Sequence, residues 1–373
     1  MKNRIYKYFF HEFIRYFLVT LFALTAVLWT IQAVNFLDLV TEDGHAFGIY
    51  TLYSLLTIPK ILTKLIPFAF LSATVLTVLK LEKDNELILL WTSGLNKINI
   101  VNLIFRISII IMFLQIFMAS IVNPTSLNLS RNLIKNSQLQ FIPSLLKEKQ
   151  FNDAVKGLTI FVERKDDNGN YQNVLIRDDG KVLTQISSGS STIIAKSGYV
   201  TTDEKGLVLL DGSIQKVEKG KLNIIKFEKT TVNLSGLSTK TISQTKIQET
   251  STLKILLCLQ NFNLNLHNCN GYEKNKRDIR IEVNKRFGMA VFIPLIALIV
   301  SFLLNSRRDK KNFYYRKYIF FFYSLIIIIT SEITVRYSGI SLNHLIAYYF
   351  LPLLMLPVTY LILIRSFKYE NLK

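Results

Sequence analysis

The sequence predicts a polytopic α-helical membrane protein with six transmembrane helices and an all-β domain inserted after the third helix. Half of its 373 residues are hydrophobic. They are concentrated in blocks that reach the roughly 20 apolar residues a bilayer span requires. Residues 123–280 have instead the mixed composition of a soluble protein. The chain therefore divides into membrane, soluble and membrane parts.

Three predicted spans lie on each side of the soluble part. They cover residues 13–37, 52–79, 98–122, 287–304, 318–335 and 345–364. The first run is too long for a signal peptide, so we expect it to be retained. Residues 5–17 mix aromatic and charged side chains, which fits either an interfacial helix or a longer first span. The predicted domains are residues 1–122, 123–280 and 281–373.

The orientation follows from the basic residues beside the spans. Residues 305–317 carry six Lys and Arg side chains, and both chain ends are basic, whereas residues 38–50 and 338–343 carry none. Cytoplasmic flanks are the basic ones. We therefore predict a bacterial inner-membrane protein with both termini in the cytoplasm and the inserted domain in the periplasm. The net charge of +19 lies largely in such flanks, so we do not expect nucleic acid as a partner.

Short runs of β-forming residues recur in the insert at spacings of about ten residues. They are residues 158–163, 174–177, 192–195, 207–210, 213–217 and 222–227. Turn signals separate them at residues 167–169, 179–180, 196–198, 211–212 and 219–220. This pattern is typical of a sandwich or an open barrel. A jelly roll is compatible with it.

The sequence carries no motif for chemistry of its own. It contains neither a phosphate-binding GxxxxGK[ST] loop nor the GxSxG and HExxH motifs. We expect no catalytic residue, no metal site and no cofactor in this chain. The two cysteines, Cys258 and Cys269, could pair in an oxidising compartment or remain free thiols.

A cytoplasmic amphipathic helix is predicted at about residues 82–94, between the second and third spans. It begins with charged residues and ends at Gly94, a suitable C-cap. Leu87, Leu90 and Trp91 fall at positions i, i+3 and i+4 and form one apolar stripe. Such a stripe fits either a pocket on a partner protein or the membrane surface.

The same segment carries a family resemblance. The pattern Asp84-x-Glu86-Leu87-x-x-Leu90-x-x-Ser93-Gly94 resembles the coupling-helix motif of the lipopolysaccharide export permeases LptF and LptG. The resemblance covers nearly the whole chain, with further matches at Pro59, residues 65–67, 151–153, 157–163, 210–212, Gln215, Glu282, Arg286 and Pro294. The spacing around residue 157 leans toward LptF. Trp91 departs from the family, which commonly has a basic or small residue there.

The resemblance implies a specific assembly. Members act as an LptF–LptG heterodimer on a dimeric ATPase, LptB, and pass lipopolysaccharide to the periplasmic jelly-roll protein LptC. It implies an LptG-like second permease here, and no enzymatic activity in this chain, because ATP and magnesium bind to the ATPase. The coupling helix would contact that ATPase through the following residues: Asp84, Glu86, Leu87, Leu90, Trp91 and Gly94.

Three basic residues are candidates for contact with the phosphates of the lipid. Lys60 and Lys64 lie at i and i+4 on one face of the second span, where ionisable groups usually face a cavity or a partner. They could instead extend into the headgroup region. Arg336 follows Glu332 by four residues at the end of the fifth span, which the resemblance places at a lateral gate. An intrahelical ion pair with Glu332 is the alternative for Arg336.

Two other functions are alternatives to lipopolysaccharide export. Release-type ABC permeases usually have four spans with the insert after the first, whereas here it follows the third. A membrane-anchored periplasmic sensor or scaffold would need neither lysines within the second span nor a cytoplasmic helix ending in Ser-Gly. The substitution Glu86→Lys distinguishes a transporter from a sensor or scaffold. A transporter should lose coupling to ATP hydrolysis, whereas the function of a sensor should not change.

Overall fold

A computed structural model of the chain describes most of its residues. The described residues are 2–37, 40, 47–136, 146, 148–153, 157–166, 170–179, 190–201, 206–218, 221–233, 246–260, 269, 273–305 and 313–370. They form two compact units. The first, here the helical unit, comprises Met1–Thr30, Thr57–Asn128 and Lys246–Lys373. The second, here the sheet unit, comprises Ile31–Leu56 and Leu129–Thr245.

Six helices of the described chain are long and apolar enough to cross a membrane. They are Arg4–Asn35, Phe47–Lys83, Lys97–Ile134, Asn275–Leu304, Lys317–Tyr337 and Leu342–Lys368. Three precede the β-sheet and three follow it, which confirms the predicted order of spans and insert.

Helix α1 runs from Lys2 to Asn35 without a break. Residues 5–17 are therefore part of one longer first helix, as one of the two alternatives predicted. Its buried apolar side chains, Phe9, Phe13, Phe17 and Leu21, recur at every fourth position. That spacing places them on one face of the helix, so the first half of α1 packs against the core of the helical unit.

The second span is divided at Thr57. Helix α2 covers Phe47–Leu56 and helix α3 covers Ile58–Lys83. Pro59 stands in the first turn of α3, where its missing N–H costs no helical hydrogen bond. The predicted single segment 52–79 thus consists of two helices, because proline starts a new helix more easily than it continues one.

The third span contains a π-helical turn. Helix α5 covers Lys97–Phe117, the π turn Met118–Val122, and helix α6 Asn123–Asn136. Helical structure therefore continues past the predicted end at residue 122. Pro124 has no N–H to donate to the carbonyl of Ser120 four residues earlier, and such a gap is a common cause of a local change in helix type.

The remaining helices follow the sheet. Helix α7 covers Thr252–Gln260, α8 Glu273–Ser301, α9 Phe313–Tyr337 and α10 Leu342–Glu370. Helix α4, Glu86–Thr92, lies between α3 and α5. Helix α8 is central to the helical unit because it packs against α3, α5, α9 and α10. A Cβ atom at Gly288 would lie 2.3 Å from Cε1 of Tyr348, so this close approach of α8 and α10 requires glycine.

The sheet has six described strands: β1 Phe151–Asn152, β2 Leu158–Lys165, β3 Tyr171–Asp178, β4 Ser191–Val200, β5 Gly206–Glu218 and β6 Lys221–Asn233. Each pairs antiparallel with its neighbour in sequence. The all-β prediction for the insert is confirmed. A jelly roll contains Greek keys, with neighbours distant in sequence, whereas the described strands form a meander, so the jelly roll stays a prediction.

Two predicted turns were wrong. Residues 196–198 lie within β4, and residues 211–212 lie within β5, which joins the runs predicted as two strands. A Cβ atom at Gly212 would lie 2.4 Å from both the carbonyl oxygen of Ile194 and the ring of Phe227. The glycine therefore allows close strand approach instead of a turn. The signals at 167–169 and 219–220 lie outside the described residues.

A row of five isoleucines crosses the sheet. Cross-strand pairing joins Ile160, Ile176, Ile193, Ile214 and Ile225 in turn. Paired residues share one face of a sheet, and the first three are fully buried in its core. Ile225 is 57% exposed. The apolar face of the sheet is therefore open at β6.

Candidate functional site

The segment between the second and third spans forms a sharp turn and a short helix. Helix α3 ends at Lys83, Asp84 caps it, and Asn85 has left-handed backbone dihedrals with φ 58°. Helix α4 follows and ends before Gly94, whose φ is +82°. The predicted helix at about 82–94 is present but has only seven residues, because residues 82 and 83 belong to α3.

The apolar stripe of this helix faces its own chain. Leu87 is buried, and Leu90 and Trp91 are half-buried against the core of the helical unit. The side chains directed away from the chain are Ile88, 52% exposed, and Leu89, 66% exposed. The stripe identified by spacing thus packs in part on its own chain, and Ile88 and Leu89 are exposed apolar side chains of the helix. The predicted contact of the stripe with an ATPase stays a prediction.

The polar candidates of the segment differ in exposure. Asp84 and Gly94 are exposed, whereas Glu86 is half-buried. The hydroxyl of Tyr8 donates to Oε1 of Glu86 at 3.0 Å. Nζ of Lys97 lies 5.6 Å from the centre of the Trp91 ring, within range of a cation–π contact. Sequence reasoning missed Tyr8, because 78 residues separate it from Glu86.

A pocket of about 250 Å³ lies beside α4. Its lining combines residues of α1, α3, α4 and α5 and is largely apolar: Arg4, Ile5, Tyr6, Tyr8, Phe9, Leu81, Glu86, Leu90, Ile100 and Leu103. The short helix therefore stands next to a cavity with room for a side chain of another protein.

A second pocket of about 250 Å³ combines apolar walls with charges. Its charged lining residues are Lys64 of α3 and Glu332 of α9. The other lining residues are Pro67, Phe68, Met289, Phe292, Ile296, Ile328, Ile329, Ser331 and Ile333. Such a lining suits a molecule with an acyl chain and a charged group.

The basic candidates belong to a larger cluster. Lys60 is half-buried and lies within electrostatic range of Lys64, Lys246 and Lys285, and also of the carboxylate of Glu249. Lys64 is exposed. Lys246 and Lys285 were missed by sequence reasoning, because they lie about 190 and 220 positions further along the chain and only the fold brings them near.

Arg336 forms no ion pair with another residue of the described chain. Its side chain is exposed. Glu332 forms an ion pair with Lys285, Nζ to Oε1 3.7 Å. The predicted alternative of an intrahelical Glu332–Arg336 pair is therefore wrong, because the carboxylate of Glu332 faces α8.

Arg286 makes four side-chain hydrogen bonds within the helical unit. It is 3% exposed. Its Nε donates to Oε1 of Glu282 at 3.1 Å, and Nη1 donates to Oγ1 of Thr252 at 2.7 Å. Nη2 donates to the carbonyls of Thr250 and Gln248 at 3.0 and 3.3 Å. One guanidinium thus fixes the return linker, residues 246–252, to α8.

The return linker is also bound to the π turn. The hydroxyl of Thr252 donates to the carbonyl of Ser120, the group that Pro124 leaves without its usual helical donor. The linker is therefore held by two spans, α8 through Arg286 and α5 through the π turn.

Cys258 and Cys269 form a disulfide, with Cα atoms 5.8 Å apart. Both are buried in a small cluster with Ile255 and Ile279. Of the two alternatives left open by the sequence, pairing is the one found. The bridge joins α7 to the approach to α8.

Among the described residues, no three His, Cys, Asp or Glu side chains are grouped as ligands for a metal ion. The helical unit has a short surface helix and an amphipathic pocket near several lysines, and the sheet unit has, separately, a sheet with an open apolar face. The apolar walls and charged residues of the pocket suit the binding of an amphipathic molecule.

Two comparisons with known proteins bear on this arrangement. The family model described as lipopolysaccharide export system permease LptF/LptG matches residues 7–365. An uncharacterized protein of Rickettsia prowazekii (strain Madrid E), RP871, is 27% identical over 246 residues. That match covers 64% of this chain and 66% of the relative, slightly less than two thirds of its length.

Proposed function

The chain belongs to the lipopolysaccharide export permease family LptF/LptG, and from this we propose that it is the permease subunit of an ABC transporter. The transporter extracts lipopolysaccharide from the inner membrane and passes it to a periplasmic bridge. The observation that carries the proposal is the family match over residues 7–365, which includes the spans, the short surface helix and the sheet. An assignment to LptF is favoured by the spacing around residue 157.

The amphipathic pocket supports a phosphorylated lipid as the cargo. Acyl chains suit its apolar walls, since burying each methylene contributes about 0.8 kcal/mol. Phosphates suit the ammonium groups of Lys64, which lines the pocket, and of Lys60, one turn earlier on the same helix. Arg336, exposed at the end of α9, is a further candidate contact. Lipopolysaccharide has both features in its lipid A part.

The short helix α4 supports coupling to an ATPase. We infer that the dimeric LptB-like partner contacts Asp84, Glu86 and Gly94 together with the exposed Ile88 and Leu89. Leu87, Leu90 and Trp91 then transmit the movement inward, because they pack on the core of the helical unit. ATP and magnesium belong to the partner, and this chain is a transport subunit without enzymatic activity.

The open end of the sheet supports hand-over to another β protein. Strand β6 is the last of the described sheet and exposes Leu222, Ile224 and Ile225. A strand edge with unpaired backbone groups readily accepts a further strand. An LptC-like jelly-roll protein could continue the row of isoleucines, while an LptG-like permease completes the membrane part.

The proposed orientation places the sheet in the periplasm and both termini in the cytoplasm. The basic loop around residue 311 and the lysine-free loops support it. The Cys258–Cys269 disulfide supports it independently, because such bonds persist in oxidising compartments.

The test is transport by the purified complex. The chain is coexpressed with its candidate partners, reconstituted in vesicles containing lipopolysaccharide, and supplied with ATP. We expect ATP-dependent transfer of lipopolysaccharide to an added periplasmic acceptor. We expect Glu86→Lys to abolish that transfer. A chain that purifies alone under several mild conditions, or a complex that hydrolyses ATP without moving lipid, would refute the proposal and favour the sensor or scaffold.

The cargo site is tested by neutralising its cations. The double substitution Lys60→Gln and Lys64→Gln should lower the lipopolysaccharide that co-purifies with the complex. Lys254→Gln is the matched control, because Lys254 is an exposed lysine of α7 that neither lines the pocket nor is among the lysines near Lys60. Equal lipopolysaccharide content in all three proteins would remove the two lysines from the proposed site.

A further inference from the structure

The last turn of α3 is joined by ion pairs to two other helices. Nζ of Lys80 lies 2.7 Å from Oε2 of Glu12 in α1. Oε2 of Glu82 lies 2.6 Å from Nζ of Lys317 in α9. Lys80 and Glu82 thus connect the end of α3 to α1 and to α9. Both residues lie immediately before the turn that leads into α4.

Both pairs are largely shielded from solvent. The side chains of Glu12, Lys317, Glu82 and Lys80 are 9%, 18%, 15% and 27% exposed. Charges in such positions are screened less than surface charges. Removing one member leaves its partner as a poorly solvated, uncompensated charge. These pairs are therefore firmer links than exposed ion pairs.

The coupling helix is linked to α1 a second time. Tyr8 of α1 donates to Glu86, the first residue of α4. Tyr8 and Glu12 are one helical turn apart, so they lie on the same face of α1. Residues 80–86 therefore contact that face of α1 at two points, through Lys80 and Glu86. They contact α9 at one point, through Glu82.

Helix α1 is anchored only in part along its length. Phe13 packs on Phe70 of α3 with ring centres 5.7 Å apart. The buried side chains of α1 in the described chain all lie between Phe9 and Thr25. From Glu12 to Thr30 the helix extends about 27 Å at 1.5 Å per residue. A small rotation at its anchored part therefore produces a larger displacement further along.

We propose that the Glu12–Lys80 and Glu82–Lys317 pairs carry movement of the coupling helix to α1 and α9. Glu12, Lys80, Glu82 and Lys317 are then positioning residues of the transport cycle and contact neither the lipid nor the nucleotide. When the ATPase displaces α4, the end of α3 moves with it, and the two pairs make α1 and α9 follow. This inference rests on the proposed transport function.

The test compares lipid movement with ATP hydrolysis in the reconstituted complex. Glu12→Gln and Lys317→Gln each remove one link. We expect the lipopolysaccharide transferred per ATP to fall by at least about fivefold, the lower end of usual coupling between sites, with ATP hydrolysis changed by less than about twofold. The charge exchanges Glu12→Lys with Lys80→Glu, and Glu82→Lys with Lys317→Glu, should restore most of the ratio.

Lys368→Gln is the control, because Lys368 is an exposed lysine near the end of α10 with no described ion pair. Each complex is first compared for assembly and thermal stability, since a purely structural role would lower both without changing the ratio. If a neutral variant does not assemble, Glu12→Asp or Glu82→Asp replaces it, because aspartate keeps the charge and shortens the reach.

The outcomes separate the two proposals. If the unaltered complex moves no lipopolysaccharide, the proposed function fails. If the unaltered complex moves lipopolysaccharide and the variants transfer as much of it per ATP, only the role of the ion pairs is refuted. A ratio that falls in the single variants and is not regained by charge exchange also refutes it, because the pairing of charges is then not what matters.

Discussion

Arg286→Ala tests whether one buried guanidinium holds the return linker. The substitution removes the donors to Glu282, Thr252 and two linker carbonyls together. It leaves the Glu282 carboxylate, whose side chain is 13% exposed, without its cation. We expect both a loss of overall stability and a local loosening of residues 246–252.

The magnitude follows from the burial of the pair. Breaking a buried ion pair by removing one partner costs about 3–5 kcal/mol. At roughly 2 °C per kcal/mol for a protein of this size, the unfolding midpoint should fall by about 6–10 °C. Arg286→Lys keeps a charge near Glu282 but lacks the planar fork that reaches the linker. We expect it to lose about 2 kcal/mol, comparable to one hydrogen bond to a charged group.

Two measurements on the detergent-solubilised protein check this. Thermal unfolding gives the global effect, and limited trypsin digestion with mass spectrometry gives the rate of cleavage after Lys246 and Lys254, which lie in and just beyond the linker. Arg280→Ala is the control, because Arg280 is exposed on the same helix and exposed positions usually change stability by less than about 0.5 kcal/mol. An Arg286→Ala protein that matches the control in both measurements would show that the clamp contributes nothing.

Three further predictions concern other parts of the molecule. Leu89→Asp should weaken capture of the ATPase without changing the melting point of the isolated chain, because Leu89 is 66% exposed; co-purification measures it, and unchanged capture would remove Leu89 from the contact. Replacing Cys258 and Cys269 by serine should lower the unfolding free energy by about 3 kcal/mol, and the intact mass of the unaltered chain should rise by the mass of two hydrogen atoms on reduction; no mass change would contradict the bridge. Gly212→Ala should disrupt the sheet, because its Cβ would lie 2.4 Å from the backbone of β4. Gly48→Ala has free space, and equal protease resistance of the two variants would contradict the crowding.

Hydropathy and charge were sufficient to predict the six spans and the place of the insert. Both signals depend on composition over long segments, so they survive local errors. Span ends were less predictable. Helix α1 and, in the third span, helix α6 extend beyond the apolar runs, because helical hydrogen bonding continues wherever the backbone is free to form it, whatever the polarity of the side chains.

Partners distant in sequence could not be predicted. The periodicity of Leu87, Leu90 and Trp91 indicated an apolar face, but it could not tell whether the same chain or another protein covers it. Spacing alone suggests Arg336 as a partner of Glu332, whereas in the fold the carboxylate of Glu332 pairs with Lys285. The Asp-Gly at 211–212 indicated a turn because glycine permits one, although here its missing Cβ serves strand contact.

The Cys258–Cys269 bridge has a consequence for how the protein is made. In the proposed orientation, Cys258 leaves the ribosome first and remains a thiol until Cys269 and the residues between them have also reached the oxidising side of the membrane. Maturation then depends on the thiol-oxidising enzymes of the cell envelope. In that orientation, a shortage of oxidising capacity in the envelope would leave both cysteines as thiols, so formation of the bridge ties maturation of this chain to envelope redox state.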